Sequence, residues 1–320
     1  MTRYGYKLMS EEHAPRALVA NACAAEDRGF DFVGISDHFH PWLEAQGHAP
    51  FAWTVLGAIA VATERVGVMT AVTCPFLRYH PAVIAQAAAT VALVCGDRFT
   101  LGLGSGEALN ERVVGRGWPH VSERQTMLEE SIDIILRLWS GERVSFRGEY
   151  LDVEAARLYD LPGSPPALAI AAGGVEAAEI AGKCGGGLVA TQPERALVER
   201  YREAGGRGPC YAEMSLCWGQ DTEQALQTVH ERFRWSGLGW HVLPELAQPE
   251  AFLDATRYCA PEDLRDSMPH GPRLEPYVEA VRAYTEAGFD HVLLTQVGPD
   301  QAGFLEFWER ELQPALRTAA

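Results

Sequence analysis

The chain holds 320 residues, 47% of them hydrophobic, with a formal net charge of −16. That much apolar sequence can bury a large core, and the acidic surplus argues against nucleic acid or an anionic membrane as a partner. Lysine occurs only at positions 7 and 183, so a site for an anionic ligand must use Arg or backbone N–H groups.

The seven cysteines (23, 74, 95, 184, 210, 217 and 259) are odd in number and form no C-x-x-C. They fit reduced thiols in a cytoplasmic protein better than a disulfide framework or a zinc site. The stretch Met1–Tyr6 lacks the apolar core of a signal peptide. No apolar run reaches about 18 residues, so no membrane span is expected.

Taken in order, strand-like runs fall near 5–9, 30–36, 66–73, 99–104, 167–172, 187–191, 212–218 and 291–296. Helical patterns lie between them, near 14–28, 50–64, 81–94, 122–139, 174–184, 194–204, 222–233, 274–287 and 301–316. This alternation predicts an α/β fold, a (β/α)8 TIM barrel with residues 1–320 as one domain. A doubly wound sheet is the alternative. Two segments interrupt the alternation. Residues 142–160 read as an inserted hairpin with its turn at Arg147-Gly148, and residues 235–272, rich in Trp, Pro and His, as a lid over the barrel mouth.

The second strand runs into Ser36-Asp37-His38-Phe39-His40-Pro41-Trp42. In a barrel the catalytic groups gather at the C-terminal strand ends, where Asp37 and His38 fall. An imidazole exchanges protons near neutral pH, Trp42 offers a flat apolar wall, and Pro41 stiffens the turn between them. The same residues also suit a strand end whose polar groups satisfy one another. After the third strand, Thr73 and Cys74 are placed to face the mouth.

After the fourth strand, glycines at 102, 104 and 106 permit close approach of a ligand. The G-x-G-x-x-G spacing is missing, and no helix is expected directly after the loop, so a dinucleotide fingerprint is weak. Glu107 lies where a barrel aims it at the mouth near His38, and a carboxyl with an imidazole can divide acid and base roles. A solvated Glu beyond a Gly turn would look the same. Ala171-Ala172-Gly173-Gly174 precedes a helix whose N-terminus suits a phosphate, or is a plain tight turn. His38 and His40 also form an H-x-H pair, but strands four to six end in Gly-Ser-Gly, Ala-Gly-Gly and Thr-Gln. No further ligands converge there, so no metal site is expected.

Several blocks together carry a family resemblance. They are 36–42, His48-Ala49-Pro50-Phe51, the run 78–86 (RYHPAVIAQ), 106–111 (GEALNE), Leu138-Trp139-Ser140-Gly141 and 171–174. In this order the chain resembles the coenzyme F420-dependent glucose-6-phosphate dehydrogenase group of the bacterial luciferase-like superfamily, over nearly its full length. The resemblance implies a (β/α)8 barrel, usually a homodimer, that binds the deazaflavin at the strand ends. Asp37, Cys74, Ser105, Gly106, Asn110, Gly173, Gly174, Glu176 and Ala177 fall on the cofactor-contacting positions. Ala71-Val72 falls on a non-proline cis peptide, which puts Val72 beside the ring. The implied chemistry is hydride transfer between a substrate carbinol carbon and carbon 5 of the deazaflavin. His38 would take the hydroxyl proton, Trp42 and Glu11 would brace the charge, and Glu107 would manage the proton on the reduced ring.

The chain also departs from that group. Thr191 matches a substrate-pocket Thr, but Glu194 stands where the group has a phosphate-binding Lys. A second pocket Lys has no counterpart, and only Arg282 remains of the cationic trio. A carboxylate in place of a cation repels a phosphate, so the expected substrate is a non-phosphorylated alcohol or its carbonyl. Position 74 is Cys where the group has Thr, and Gly186 stands where Asp is common. An FMN-dependent monooxygenase of the same superfamily and a non-catalytic F420-binding protein are the alternatives. The helices near 50–64 and 81–94 are apolar around much of their circumference, which predicts a subunit interface.

Overall fold

Strands buried on both faces need no polar alternation, and two strands here, Phe32–Ile35 and Gly187–Ala190, are four-residue apolar runs with every residue buried. The computed structural model describes residues 2–239 and 241–318. In chain order its strands are β1 (Arg3–Leu8), β2 (Phe32–Ile35), β3 (Gly67–Thr70), β4 (Phe99–Leu103), β5 (Val144–Arg147), β6 (Asp152–Ala156), β7 (Ala167–Ala171), β8 (Gly187–Ala190), β9 (Cys210–Leu216) and β10 (His291–Gln296). Eight of these close a parallel barrel in the order β1-β10-β9-β8-β7-β4-β3-β2, while β5 and β6 form a separate antiparallel pair. The fold is the (β/α)8 barrel that the alternation predicts, not a doubly wound sheet.

Closure depends on a few close approaches. The Thr70 hydroxyl donates to the Gly102 carbonyl (2.8 Å) and accepts the Gly102 N–H (2.9 Å), locking β3 to β4. A Cβ at Gly102 would lie 2.0 Å from the Thr70 carbonyl oxygen, so no larger residue fits that register. Phe32, Met69, Ala169, Val189, Tyr211 and Leu293 fill the lumen below the mouth. The larger core lies between the strands and the surrounding helices.

The helices start and stop where local chemistry says they should. Pro15 and Pro81 occupy first turns, where a missing N–H costs nothing, and Gly96 ends Pro81–Cys95 in the left-handed region at φ 63°. Helix Val121–Leu138 opens on a capping box between His120 and Glu123.

Three expectations need correction. Arg147 pairs with Asp152, so the hairpin turn is 148–151 and not Arg147-Gly148. The Glu130 carboxylate fixes that loop by accepting the N–H groups of Glu149, Tyr150 and Leu151 at 2.5, 3.2 and 2.9 Å. A single helical turn, Ala108–Glu111, does begin directly after the glycine loop. The C-terminal helix is also not uniform: a π turn, Trp308–Leu312, separates Gln301–Phe307 from Gln313–Thr318. The wide turn lets Trp308 stack on Phe30 at 4.2 Å between ring centroids and donate its indole N–H to the Arg28 carbonyl.

Within 235–272, Trp240 lies outside the described residues. The rest holds short 3-10 turns and one helix, Pro249–Ala255. Trp235 lies flat on Trp42, with centroids 4.1 Å apart and planes 11° apart, and Phe252 meets Trp42 edge-on at 5.1 Å.

Candidate active site

The loops after β1, β2 and β4 each deliver a polar group to one cluster at the barrel mouth. The loop after β1 carries Glu11, which is buried. Glu11 Oε2 accepts the Ser36 hydroxyl at 2.5 Å and the Ser10 hydroxyl at 3.4 Å, which orients the carboxylate. Its other oxygen, Oε1, stands 3.4 Å from His38 Nε2. Glu107, from the loop after β4, places Oε2 3.7 Å from the same nitrogen.

His38 Nδ1 lies 3.1 Å from the His40 carbonyl oxygen. A carbonyl only accepts, so Nδ1 carries a proton and Nε2 is the ring atom left to gain or lose one. That nitrogen stands between the two carboxyls.

Burial pushes the Glu11 carboxyl up, but His38, Lys7 and the Ser36 hydroxyl outweigh it and hold Glu11 below its ordinary range. At Glu107 burial dominates, and the nearby Glu11 adds to it, so the carboxyl is raised to about 7 despite the pull of His38. Two carboxyls flanking one imidazole are thereby driven apart, one toward the anion and one toward the acid.

Trp42 faces His38 at 5.0 Å between centroids. It is only 5% exposed, because Trp235 and Phe252 cover it. The Gln46 side-chain oxygen accepts the Trp42 N–H at 2.8 Å and so fixes the turn.

Asp37 is turned away from His38. Its carboxylate takes the Thr73 hydroxyl (2.8 Å), the Tyr79 hydroxyl (3.0 Å) and the Arg78 guanidinium (3.0 Å). The Arg78 Nε lies 3.7 Å from Glu111, whose other oxygen accepts the Arg78 backbone N–H at 2.9 Å. Asn110 ties the loops after β2 and β4 together. Its Oδ1 accepts the Phe39 N–H (2.9 Å) and its Nδ2 donates to Glu107 (3.2 Å).

The floor beside this cluster is shaped for close approach. The Ala71–Val72 peptide is cis. A Cβ at Gly104 would sit 2.7 Å from Val72 Cγ2. Gly106 has φ 76°, and a Cβ there would meet Cys74 Sγ at 2.7 Å. Cys74 is buried, and that burial raises its thiol well above its usual range. Ser105 is half-buried on the same loop.

The remaining sequence-derived residues lie on β7 and β8 loops and beyond. Gly174 caps helix Val175–Lys183, with Gly173 and Glu176 exposed and Ala177 half-buried beside it. The carbonyl of Thr191 accepts the Tyr284 hydroxyl at 2.8 Å. Glu194 and Arg282 are both exposed, and among the described residues no ion pair joins either to the His38 cluster.

Sequence reasoning missed Lys7, Glu213, Ser10 and Ser36 as site residues, and assigned no role to Arg78 or Glu111. The Lys7 ammonium donates to the Glu213 carboxylate inside the barrel at 2.7 Å. Both charges lie inside strands, Lys7 in β1 (RYGYKL) and Glu213 in β9 (CYAEMSL), where a polar residue ordinarily marks a solvent face.

A family model described as luciferase-like monooxygenase matches residues 1–291. An F420-dependent glucose-6-phosphate dehydrogenase of Segniliparus rotundus is 37% identical over 335 residues, covering 99% of this chain and 98% of its own. The protein of that description from Rhodococcus erythropolis is 38% identical over 342 residues, covering 98% of each. A solved F420-dependent secondary alcohol dehydrogenase, in complex with an F420–acetone adduct, superposes with a TM-score of 0.91 at 27% identity and 99% coverage of both chains.

Proposed function

Because the chain belongs to the luciferase-like monooxygenase family, we propose that it is a coenzyme F420-dependent oxidoreductase acting on a non-phosphorylated alcohol or the matching carbonyl. The observation that carries this reading is His38 Nε2 held between Glu11 and Glu107 at a barrel mouth. The names of the full-length relatives and of the structural neighbour support the cofactor.

The residues fit a flat, anionic, ring-bearing group. Gly104 and Gly106 leave a surface over Val72 and Cys74 that any Cβ would fill. Gly174 opens a helix N-terminus that suits a phosphate, with Gly173, Glu176 and Ala177 around it. When bound, the deazaflavin supplies a carbon that exchanges a hydride. The chain's own residues do the rest. His38 takes the substrate hydroxyl proton at Nε2, Glu11 stabilises the imidazolium that results, and Trp42 with the Trp235 lid keeps water from it. Glu107, raised to about 7, holds or releases a proton near neutral pH.

Charge sets the substrate class. Glu194 beside Thr191, with Arg282 exposed and no free Lys near the mouth, disfavours a phosphate. Residues 1–320 act as one domain in this reading, with 235–272 as its lid, and the seven unpaired cysteines suit a reducing cytoplasm. Among the described residues no helix is long and apolar enough to cross a membrane.

The deciding measurement titrates the apoprotein with F420 and FMN, following Trp fluorescence. F420 should bind tightly and FMN weakly, and 2-propanol should then reduce bound F420 faster than glucose 6-phosphate does. Preference for FMN would transfer the chain to the monooxygenases. Binding of F420 without turnover of any alcohol would make it a carrier.

A homodimer is part of the proposal. Val61, Val83, Leu93 and Val94 are exposed on helices Ala52–Ala62 and Pro81–Cys95, and Val61 is 76% exposed. Such a patch favours a second copy. Light scattering at micromolar concentration should give a dimer mass, and a monomer mass would refute it.

A further inference from the structure

The Lys7 side chain is 5% exposed and lies inside the barrel. Its ammonium donates to the Ala71 carbonyl and to Glu213 Oε2, both at 2.7 Å. In the barrel order, β10 separates β1 from β9, and β2 separates β1 from β3. Lys7 therefore ties its own strand to two strands that it does not pair with. The Ala71 carbonyl it holds belongs to the segment that carries Val72 and Cys74 beneath the mouth.

Stability alone gives little reason for this pair. Two charges inside a barrel bear a heavy desolvation cost, and an apolar pair of similar volume serves folding as well or better. The pair does have a second consequence, because it stands beside the acid–base cluster. Glu107 is faced by His38, Glu11, Lys7 and Glu213, and Glu11 by His38, Lys7 and the Ser36 hydroxyl.

We propose that Lys7, clamped by Glu213, is a positioning residue of the active site. It pins the Ala71–Val72 segment and supplies the fixed positive charge that faces Glu11 and Glu107. The proposal rests on reading His38, Glu11 and Glu107 as the proton-handling cluster. The two members of the pair act on Glu107 with opposite sign: Lys7 draws its carboxyl toward the anion and Glu213 drives it toward the acid.

The test uses the full-length apoprotein with 13C-labelled Glu side chains, the Glu107 and Glu11 signals being assigned through Glu107→Gln and Glu11→Gln. Lys7→Met should raise the Glu107 and Glu11 titrations, and Glu213→Gln should lower that of Glu107. A merely structural pair would shift both variants the same way or leave the titrations alone. Lys7→Met should also weaken F420 binding by about tenfold, a change worth about 1.4 kcal/mol, and Lys7→Arg should recover much of it. If Lys7→Met does not fold, the Lys7→Met/Glu213→Leu variant carries the measurement, since removing both charges together spares an unpaired one. Because the two opposite effects cancel at Glu107 in that double variant, the reading there is Glu11, which only Lys7 of the pair faces: a wild-type Glu11 titration together with wild-type F420 affinity would overturn the proposal. Failure of the wild-type protein to bind F420 would instead remove the cofactor reading, and the opposite shifts in the apoprotein would still decide the role of Lys7.

Discussion

Replacing His38 with Ala should slow turnover by about 10²–10⁴-fold, the usual contribution of a placed general base, while F420 affinity stays within a few-fold. The size follows from what no neighbour can replace. Among the described residues His38 Nε2 is the imidazole nitrogen with a carboxyl on either side, and the His40 carbonyl, by accepting the Nδ1 hydrogen bond, leaves Nε2 as the atom that exchanges a proton. Glu107, raised to about 7, is partly protonated near neutral pH and so is only partly available as a base, and Glu11 is spent on the Ser36 and Ser10 hydroxyls. The variant leaves space beside Trp42, so the assay must separate chemistry from collapse. Trp fluorescence titration with F420 does so, and a single-turnover measurement of F420 reduction gives the rate. Retained activity would move the base to Glu107, and loss of F420 binding in step with the rate would mark His38 as part of the scaffold.

His38 and Glu107 could be found from sequence because each stands where an apolar strand abruptly turns polar. A barrel gathers such strand ends at one rim, so fold and site became readable together. Glu11 had no such signal; it sits two residues past Met9 in a loop, and only the family resemblance brought it forward. Lys7 and Glu213 were hidden for the opposite reason. They lie within strands, where a polar residue reads as a solvent face, and a closed lumen reverses that rule. The buried side of Asp37 was equally hidden. Its position suggested a ligand contact, but its carboxylate is taken up by Thr73, Tyr79 and Arg78, three groups that no local pattern links to it. The π turn at Trp308 accompanies the fit of one indole against Phe30, a tertiary fact that helical periodicity cannot carry.

Arg78 carries the largest expected effect on stability. Its side chain is 8% exposed, and the two carboxylates it serves, Asp37 and Glu111, are 0% and 1% exposed. Arg78→Met should cost about 3–5 kcal/mol at pH 8, because removing one partner strands buried charge. The loss should shrink at pH 5. Burial raises the Glu111 carboxyl to about 7, although Arg78 pulls it down. A carboxyl raised from 4.5 binds its proton more firmly in the native state, so its stabilising contribution is complete below about 4.5 and disappears as pH rises through about 7. Without Arg78 that upper limit moves higher still. At pH 5 the variant then buries a neutral acid at Glu111, and at pH 8 it must either bury an anion or hold a proton at cost. Urea unfolding of both proteins at the two pH values measures the difference. A loss that is equal at both would place the stranded charge on Asp37 alone. A loss below about 1 kcal/mol would mean that water reaches the guanidinium and the triad behaves as a surface pair.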